Sequence, residues 1–242
     1  MPNSDRTANW SLVVPLKPLA LAKSRLAPTA SDEVRPGLAL AFAQDTVAAA
    51  LACSAVRDVA VVTDDALAAA ELAALGARIV PDTAAAGLNP ALAHGARAVR
   101  ELRPDAAVAA LNADLPALRP VELRRVLDRA AEFPRAFLAD AAGIGTTLLT
   151  ARADTELSPA FGGPSRARHR ASGAVEILLG DVVSVRQDVD TGDDLLAAAA
   201  LGLGPYTARR YSAVTAGPGP APSAGGRPER GTAHGPAAGP EA

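Results

Sequence analysis

Cysteine occurs once in the 242 residues, as Cys53, and histidine only three times. A single thiol excludes an intrachain disulfide and a cysteine-built zinc site, and it fits a reducing compartment. So few imidazoles leave little to build a transition-metal cage. Charge of one sign is also lacking. Lys and Arg number 24 against 26 Asp and Glu, for a formal net charge of -2. The basic residues are scattered, so the one-sided footprint of a nucleic-acid binder is missing. Long apolar runs are absent as well: Leu12 to Leu16 is broken at once by Lys17 and Pro18. That stretch is too short for a signal h-region, and no other run approaches the roughly 18 residues of a membrane span. The expectation is a cytoplasmic protein with neither a membrane nor a nucleic acid as partner. Two phosphate fingerprints are missing too. There is no GxxxxGK[ST], and Gly143-Ile144-Gly145 is a fragment of GxGxxG. P-loop NTPases and dinucleotide dehydrogenases thereby lose their main support.

What is present is the composition of a globular enzyme, 49% hydrophobic and 21% charged, with length enough for one substantial core. Apolar runs of strand length alternate with longer Ala- and Leu-rich segments of helical period, which predicts an α/β domain built from βαβ units. Predicted strands are Leu12 to Leu16, Val59 to Thr63, Ala77 to Val80, Ala106 to Leu111, Ala136 to Ala139, Thr147 to Thr150 and Val182 to Val185. Predicted helices are Pro36 to Cys53, Asp65 to Leu75, Asn89 to Leu102, Pro120 to Phe133, Gly173 to Leu179 and Thr191 to Leu201. Asp32, Asp64, Asn89 and Thr191 each offer a side-chain acceptor near the first free amides of a helix. From Ala216 the text turns to Gly, Pro and Ala without apolar period, the composition of a segment that cannot offset its ordering entropy. The division expected is an extension over 1–9, a catalytic domain over 10–212 and a disordered tail over 213–242.

Four segments carry residue types suited to phosphate chemistry. The first runs from Val13 through Lys17, Lys23, Ser24 and Arg25 to Leu26, a strand followed by a basic loop. Ligands of open α/β sheets bind beyond the carboxyl ends of the strands, so such a loop is placed to hold a polyphosphate. Taken alone it reads more readily as a solvated surface loop. The second is Leu111-Asn112-Ala113-Asp114-Leu115-Pro116, in which a strand runs into a carboxylate. An Asp there can hold Mg²⁺ against phosphates, or simply open a turn before Pro. The third is Gln187-Asp188-Val189-Asp190-Thr191-Gly192-Asp193-Asp194. Alternation puts Asp188 and Asp190 on one face, where either can share a metal with Asp114. Asp193 and Asp194 read as first-turn acids favoured by the helix dipole. The fourth joins Gly143 to Thr147 with Phe161-Gly162-Gly163-Pro164-Ser165-Arg166-Ala167-Arg168-His169. Its glycines allow amides to approach an anion, and its hydroxyls can donate to carboxylate or phosphate. His169 lies near no Ser or Cys of a nucleophile motif and reads as a surface or supporting residue. Cys53 reads as a core residue.

Together and in this order, the four segments resemble the phosphoenolpyruvate or 2-phospho-L-lactate guanylyltransferases of deazaflavin coenzyme F-420 biosynthesis. The resemblance runs from about Trp10 to Thr207. It implies a single-domain Rossmann-like nucleotidyltransferase of the glycosyltransferase-A type, with a mixed, mainly parallel sheet. It further implies that Lys17, Lys23 and Arg25 are catalytic contacts to the GTP triphosphate. Pro15, Ser24, Gly87 and Asn89 would complete the nucleotide site. Asp114 and Asp188 would hold Mg²⁺. Thr146, Gly162 and Ser165 would hold the acceptor's carboxylate, and product would pass to the downstream deazaflavin transferase.

The implied reaction suits the composition. An ionised phosphate of the acceptor is already a nucleophile for the α-phosphorus of GTP, so no activated Ser or Cys is needed, and alignment with charge neutralisation suffices. Phosphoenolpyruvate is the expected acceptor. The alternatives are 2-phospho-L-lactate, 3-phosphoglycerate, a sugar phosphate or a molybdenum-cofactor precursor. A nucleotide-binding regulator and a glycosyltransferase fit less well, the latter because Asn112-Ala113-Asp114 supplies only the last carboxylate of a DxD motif.

Overall fold

Valines and alanines in short runs, alternating with helix-forming segments, build a three-layer α/β sandwich in the computed structural model, which describes residues 10–21, 26, 31, 33–82 and 87–215. The strands are β1 (Trp10–Pro15), β2 (Val56–Thr63), β3 (Arg78–Pro81), β4 (Ala107–Leu111), β5 (Arg135–Ala139), β6 (Thr146–Ala151) and β7 (Val175–Glu176). They form one sheet in the order β3-β2-β1-β4-β6-β5-β7. All neighbours are parallel except β6, which runs antiparallel to both β4 and β5. The expected mixed, mainly parallel sheet is therefore present.

The helices are α1 (Arg35–Leu51), α2 (Ala66–Ala74), α3 (Leu88–Leu102), α4 (Pro120–Ala130), α5 (Ser165–Ala171), α6 (Val183–Arg186), α7 (Gly192–Leu201) and α8 (Pro205–Thr215). Strand pleating sorts the core into two faces. Trp10, Leu12 and Val14 of β1 pack with Val47 of α1, Leu72 of α2 and Leu123 and Leu127 of α4. Val13 points the other way, into a cluster with Leu92 and Val99 of α3 and with Phe137 and Phe161. Cys53 is buried in the first face, as expected of a core thiol. Among the described residues, no helix is long and apolar enough to cross a membrane.

Two predicted elements exchange character. Val182 to Val185 is not a strand; α6 occupies it. Val182 and Val185 are fully buried while Val183 is exposed, which is helical spacing rather than alternation. Glu122 of α4 fixes the turn, its Oε2 accepting from the amide and the hydroxyl of Ser184 at 2.8 Å each. Conversely, Gly173 to Leu179 is not a helix. Gly173, at φ +84°, ends α5, and the chain then adds β7 beside β5. The helices α5 and α8 are additions to the predicted set. Among the predicted caps, Thr191 forms a capping box with Asp194. The cap of α2 is Asp65 rather than Asp64. Gly87, not Asn89, stands at the cap of α3. Asp32 lies outside the described residues.

The last helix is tied to the first. Buried Asp45 of α1 accepts from the amides of Tyr206 and Thr207 at 3.1 and 2.7 Å. Burial raises the pKa of this carboxyl, against the opposing effect of its bonds to Thr207 and Tyr206.

Candidate active site

Parallel β1, β2, β3 and β4 end at one edge of the sheet, and the hairpin from β5 to β6 turns at the same edge. The segment leaving β1 is anchored from β2's side. Leu16 donates its amide to Val62 at 2.9 Å, and Leu19 donates to Oδ2 of Asp65 at 2.9 Å. Asp65 also accepts from Ala68, and these backbone bonds hold its carboxyl below the usual range. Lys17 is thereby presented as an exposed residue between Pro15 and a short 3₁₀ turn, Leu19–Leu21. Lys23, Ser24 and Arg25 lie outside the described residues. Leu26, the next residue, is buried in a cluster with Phe42, Ala117 and Val189.

The two predicted metal carboxylates come together, though not as two strand ends. Asp114 follows β4 as expected. Asp188 follows the helical turn α6, and a backbone bond seats its segment: the amide of Val189 donates to the carbonyl of Asp114 at 3.0 Å. Asn112 adds a side-chain bond, Nδ2 to Oδ2 of Asp188 at 3.3 Å. Oδ1 of Asp114 is buried. Asp190 is exposed, and its amide turns toward the Asp194 carboxylate. Among the described residues no three His, Cys, Asp or Glu side chains gather as a metal cage. Two carboxylates beyond the carboxyl ends of the strands nonetheless fit a hard cation that takes its remaining ligands from phosphates and water.

Across the edge lie Thr146, Gly162 and Ser165. Thr146 opens β6, directly after a turn that Asp140 organises by accepting from Ile144 at 2.9 Å and from Gly145 at 2.7 Å. Gly162, at φ +92°, sits in a loop gripped from several sides. Asn89 of α3 accepts from the amide of Phe161 at 2.7 Å and donates to its carbonyl at 3.2 Å. Arg168 donates to the carbonyls of Ala160, Phe161 and Gly162. Ser165, the first residue of α5, is buried. Gly87, on the same stretch as Asn89, is exposed at the start of α3.

His169 is a correction in part: it is completely buried and not a surface residue. Its Nδ1 lies 2.9 Å from Oγ1 of Thr146, and its Nε2 accepts from the amide of Ala160 at 3.0 Å. Phe161 meets the ring edge-on at a centroid distance of 5.1 Å, and Phe137 packs at 5.7 Å. Burial, helped by the nearby charges of Arg135 and Arg168, pushes the imidazole down to about 4, so the ring is neutral near pH 7. Its one sequence signal was its place one helical turn after Ser165, which puts both on one face of α5.

A family model described as "Guanylyl transferase CofC like" matches residues 10–212. The chain belongs to that family. Among curated proteins it is 75% identical over 199 residues to a phosphoenolpyruvate guanylyltransferase of Streptomyces avermitilis, covering 82% of this chain and 92% of that one. It is 60% identical over 204 residues to a protein of the same name from Thermomonospora curvata, covering 84% and 89%. The fold recurs in solved structures. A putative nucleotide-diphospho-sugar transferase from Desulfovibrio desulfuricans G20 aligns with a TM-score of 0.60 at 14% identity, over 84% of this chain and 94% of that one. A nucleotidyl transferase from Methanothermobacter gives 0.56 at 21%, over 78% and 95%. The protein is thus a guanylyltransferase with the nucleotidyltransferase fold.

Proposed function

We propose that the protein transfers GMP from GTP to phosphoenolpyruvate, in the cytoplasm and with Mg²⁺, as a step toward the deazaflavin coenzyme F-420. The observation that carries this reading is the pairing of two features at one sheet edge. The Asp114–Asp188 segment stands on one side, and the hydroxyl- and amide-lined loop of Thr146, Gly162 and Ser165 on the other. In the reaction, a phosphate oxygen of the acceptor forms a bond to the α-phosphorus of GTP. The bond to the β-phosphate breaks, and enolpyruvyl-diphospho-guanosine and pyrophosphate result.

Thr146, Gly162 and Ser165 hold the acceptor carboxylate with neutral donors, which orients its phosphate without adding a competing cation. Lys17 faces the triphosphate, joined by Lys23 and Arg25. Leu26 and Val189 share one buried cluster, which supports bringing the chain after β1 and the Asp188 segment to one site. Pro15, Ser24, Gly87 and Asn89 border the nucleotide. Asp114 and Asp188 are the residues that hold Mg²⁺, which when bound neutralises charge on the phosphates and the departing pyrophosphate. No side chain is required to deprotonate the nucleophile, and the buried histidine has both ring nitrogens engaged by Thr146 and Ala160.

The test incubates the full chain with GTP and Mg²⁺ and, in separate reactions, phosphoenolpyruvate, 2-phospho-L-lactate, 3-phosphoglycerate and a hexose 1-phosphate. Pyrophosphate release is followed, and the downstream transferase traps the product. Phosphoenolpyruvate should give the highest kcat/KM. Faster turnover with the sugar phosphate would overturn the assignment.

A further inference from the structure

The acceptor side of the site is organised around one buried ring. His169 is fully buried, and both of its nitrogens are engaged by groups from different parts of the chain. The backbone amide of Ala160 can only donate, so Nε2 is an acceptor and carries no proton. A neutral imidazole then has its proton on Nδ1, and the bond to Thr146 runs from Nδ1–H to Oγ1. An imidazolium is incompatible with this arrangement, because Nε2–H would face the Ala160 N–H. Burial and two neighbouring guanidiniums favour the neutral ring on independent grounds.

The consequence falls on Thr146. Among the described residues, Oγ1 has no hydrogen-bond partner other than His169. A hydroxyl whose oxygen already accepts from Nδ1–H keeps its own hydrogen to give away. The same ring secures the neighbouring loop, since Ala160 lies two residues before Gly162. Ser165 lies one turn before His169 on α5. Thr146, Gly162 and Ser165 are therefore referred to a single side chain.

We propose that His169 is a positioning residue for guanylyl transfer: its Nδ1–H tautomer, set by the Ala160 amide, commits the Thr146 hydroxyl to donate to an anionic acceptor group and fixes the Gly162 loop beside it. This rests on the reading of Thr146, Gly162 and Ser165 as the carboxylate site. It gives the site one oriented O–H donor for an acceptor oxygen, which suits a carboxylate.

Two measurements test it. Histidine ¹⁵N spectra of the unliganded full chain, with the His169 signals identified by their loss in His169→Gln, should show a protonated, pyrrole-type Nδ1 and an unprotonated Nε2 at pH 7. The reverse pattern, or two protonated nitrogens, overturns the proposal whatever the protein's substrate. The second is a kinetic comparison, with GTP and phosphoenolpyruvate, of His169→Asn and His169→Leu, each alone and combined with Thr146→Val. Asn keeps a donor near the Nδ1 position, whereas His169→Leu has none. His169→Leu should raise the KM for phosphoenolpyruvate roughly tenfold, as expected for loss of a hydrogen bond to a charged group, with little change in that for GTP. His169→Asn should recover part of the loss, and only where Thr146 is present. Equal rises in both KM values, or a recovery that persists in the Thr146→Val background, would overturn the role. Wild-type protein inactive with phosphoenolpyruvate but showing the expected ¹⁵N pattern would instead sink the substrate reading and leave the tautomer standing.

Discussion

Val189 gives its amide to the carbonyl of Asp114, and this one bond seats Asp188 beside the end of β4. Asp114→Asn and Asp188→Asn preserve shape but each remove a negative oxygen ligand. Mg²⁺-dependent pyrophosphate release should fall by roughly two to three orders of magnitude in each, while thermal melting stays close to wild type. Asp190→Asn, at an exposed position, should have a small effect. Asp193→Asn should cost about 0.3 to 1 kcal/mol of stability through the helix dipole. Asp194→Ala should cost about 1 kcal/mol by opening the capping box with Thr191. Neither change should alter turnover at saturating substrate. Near-normal activity in folded Asp114→Asn would remove the metal assignment.

Asn89 spends its amide on Phe161, bonding both the N–H and the carbonyl of that residue. Asn89→Leu keeps the bulk and strips both bonds. Because Phe161 precedes Gly162, the variant should raise the KM for phosphoenolpyruvate by about tenfold and leave that for GTP less affected. A change confined to GTP would mean that Asn89 serves only the nucleotide it borders and not the Phe161–Gly162 loop.

Gly145 leaves no room for a side chain. A Cβ there would stand 2.4 Å from Oδ2 and 3.2 Å from Cγ of Asp140, the carboxylate that accepts from Gly145 and Ile144. Gly145→Ala must push Asp140 out of the turn, at a cost of roughly 1 to 3 kcal/mol. Since Thr146 comes next, denaturant unfolding and acceptor KM should both respond. An unchanged acceptor KM in a clearly destabilised variant would separate the turn from the site.

The buried imidazole also leaves a signature in stability. An unfolded His169 takes up a proton near its ordinary 6.5, whereas the folded one resists down to about 4. Between those values the unfolded chain binds more protons, so the contribution is whole above pH 6.5 and is lost as pH falls toward 4. The shift corresponds to at most roughly 3 kcal/mol. Urea midpoints measured at pH 6.5, 5.5 and 4.5 should therefore fall more steeply for the wild type than for His169→Gln. Parallel curves would show that the ring is not held neutral.

Much of this fold was written in local pattern. Trp10, Leu12 and Val14 alternate with Ser11 and Val13 along β1, and the Ala- and Leu-rich stretches between strands show helical period, so most strands and five helices fall within a few residues of expectation. The errors cluster where distant contacts decide. Four residues from Val182 to Val185 are equally apolar as strand or turn, and the Glu122 carboxylate, far away in sequence, selects the turn. Gly173 can open a segment or close one, and it closes α5. Alternation along an extended segment is what suggests that Asp188 can share a metal with Asp114. The pairing arises instead through a loop amide that no periodicity encodes. His169 is the extreme case, since its burial and both its partners come from β6 and the loop before α5.

The link between Asp45 and α8 has a consequence for the order of synthesis. Helix α1 leaves the ribosome early, carrying a carboxylate that the finished protein buries, and the two amides that satisfy it belong to Tyr206 and Thr207, in the last helix among the described residues. Until they arrive, the α1 layer cannot close over Asp45 without stranding a charge. The domain thus carries its own completion check. A chain cut before Tyr206 has strands for the whole sheet and yet lacks the groups that let its first helix settle, whereas a chain cut after Thr215 keeps them all.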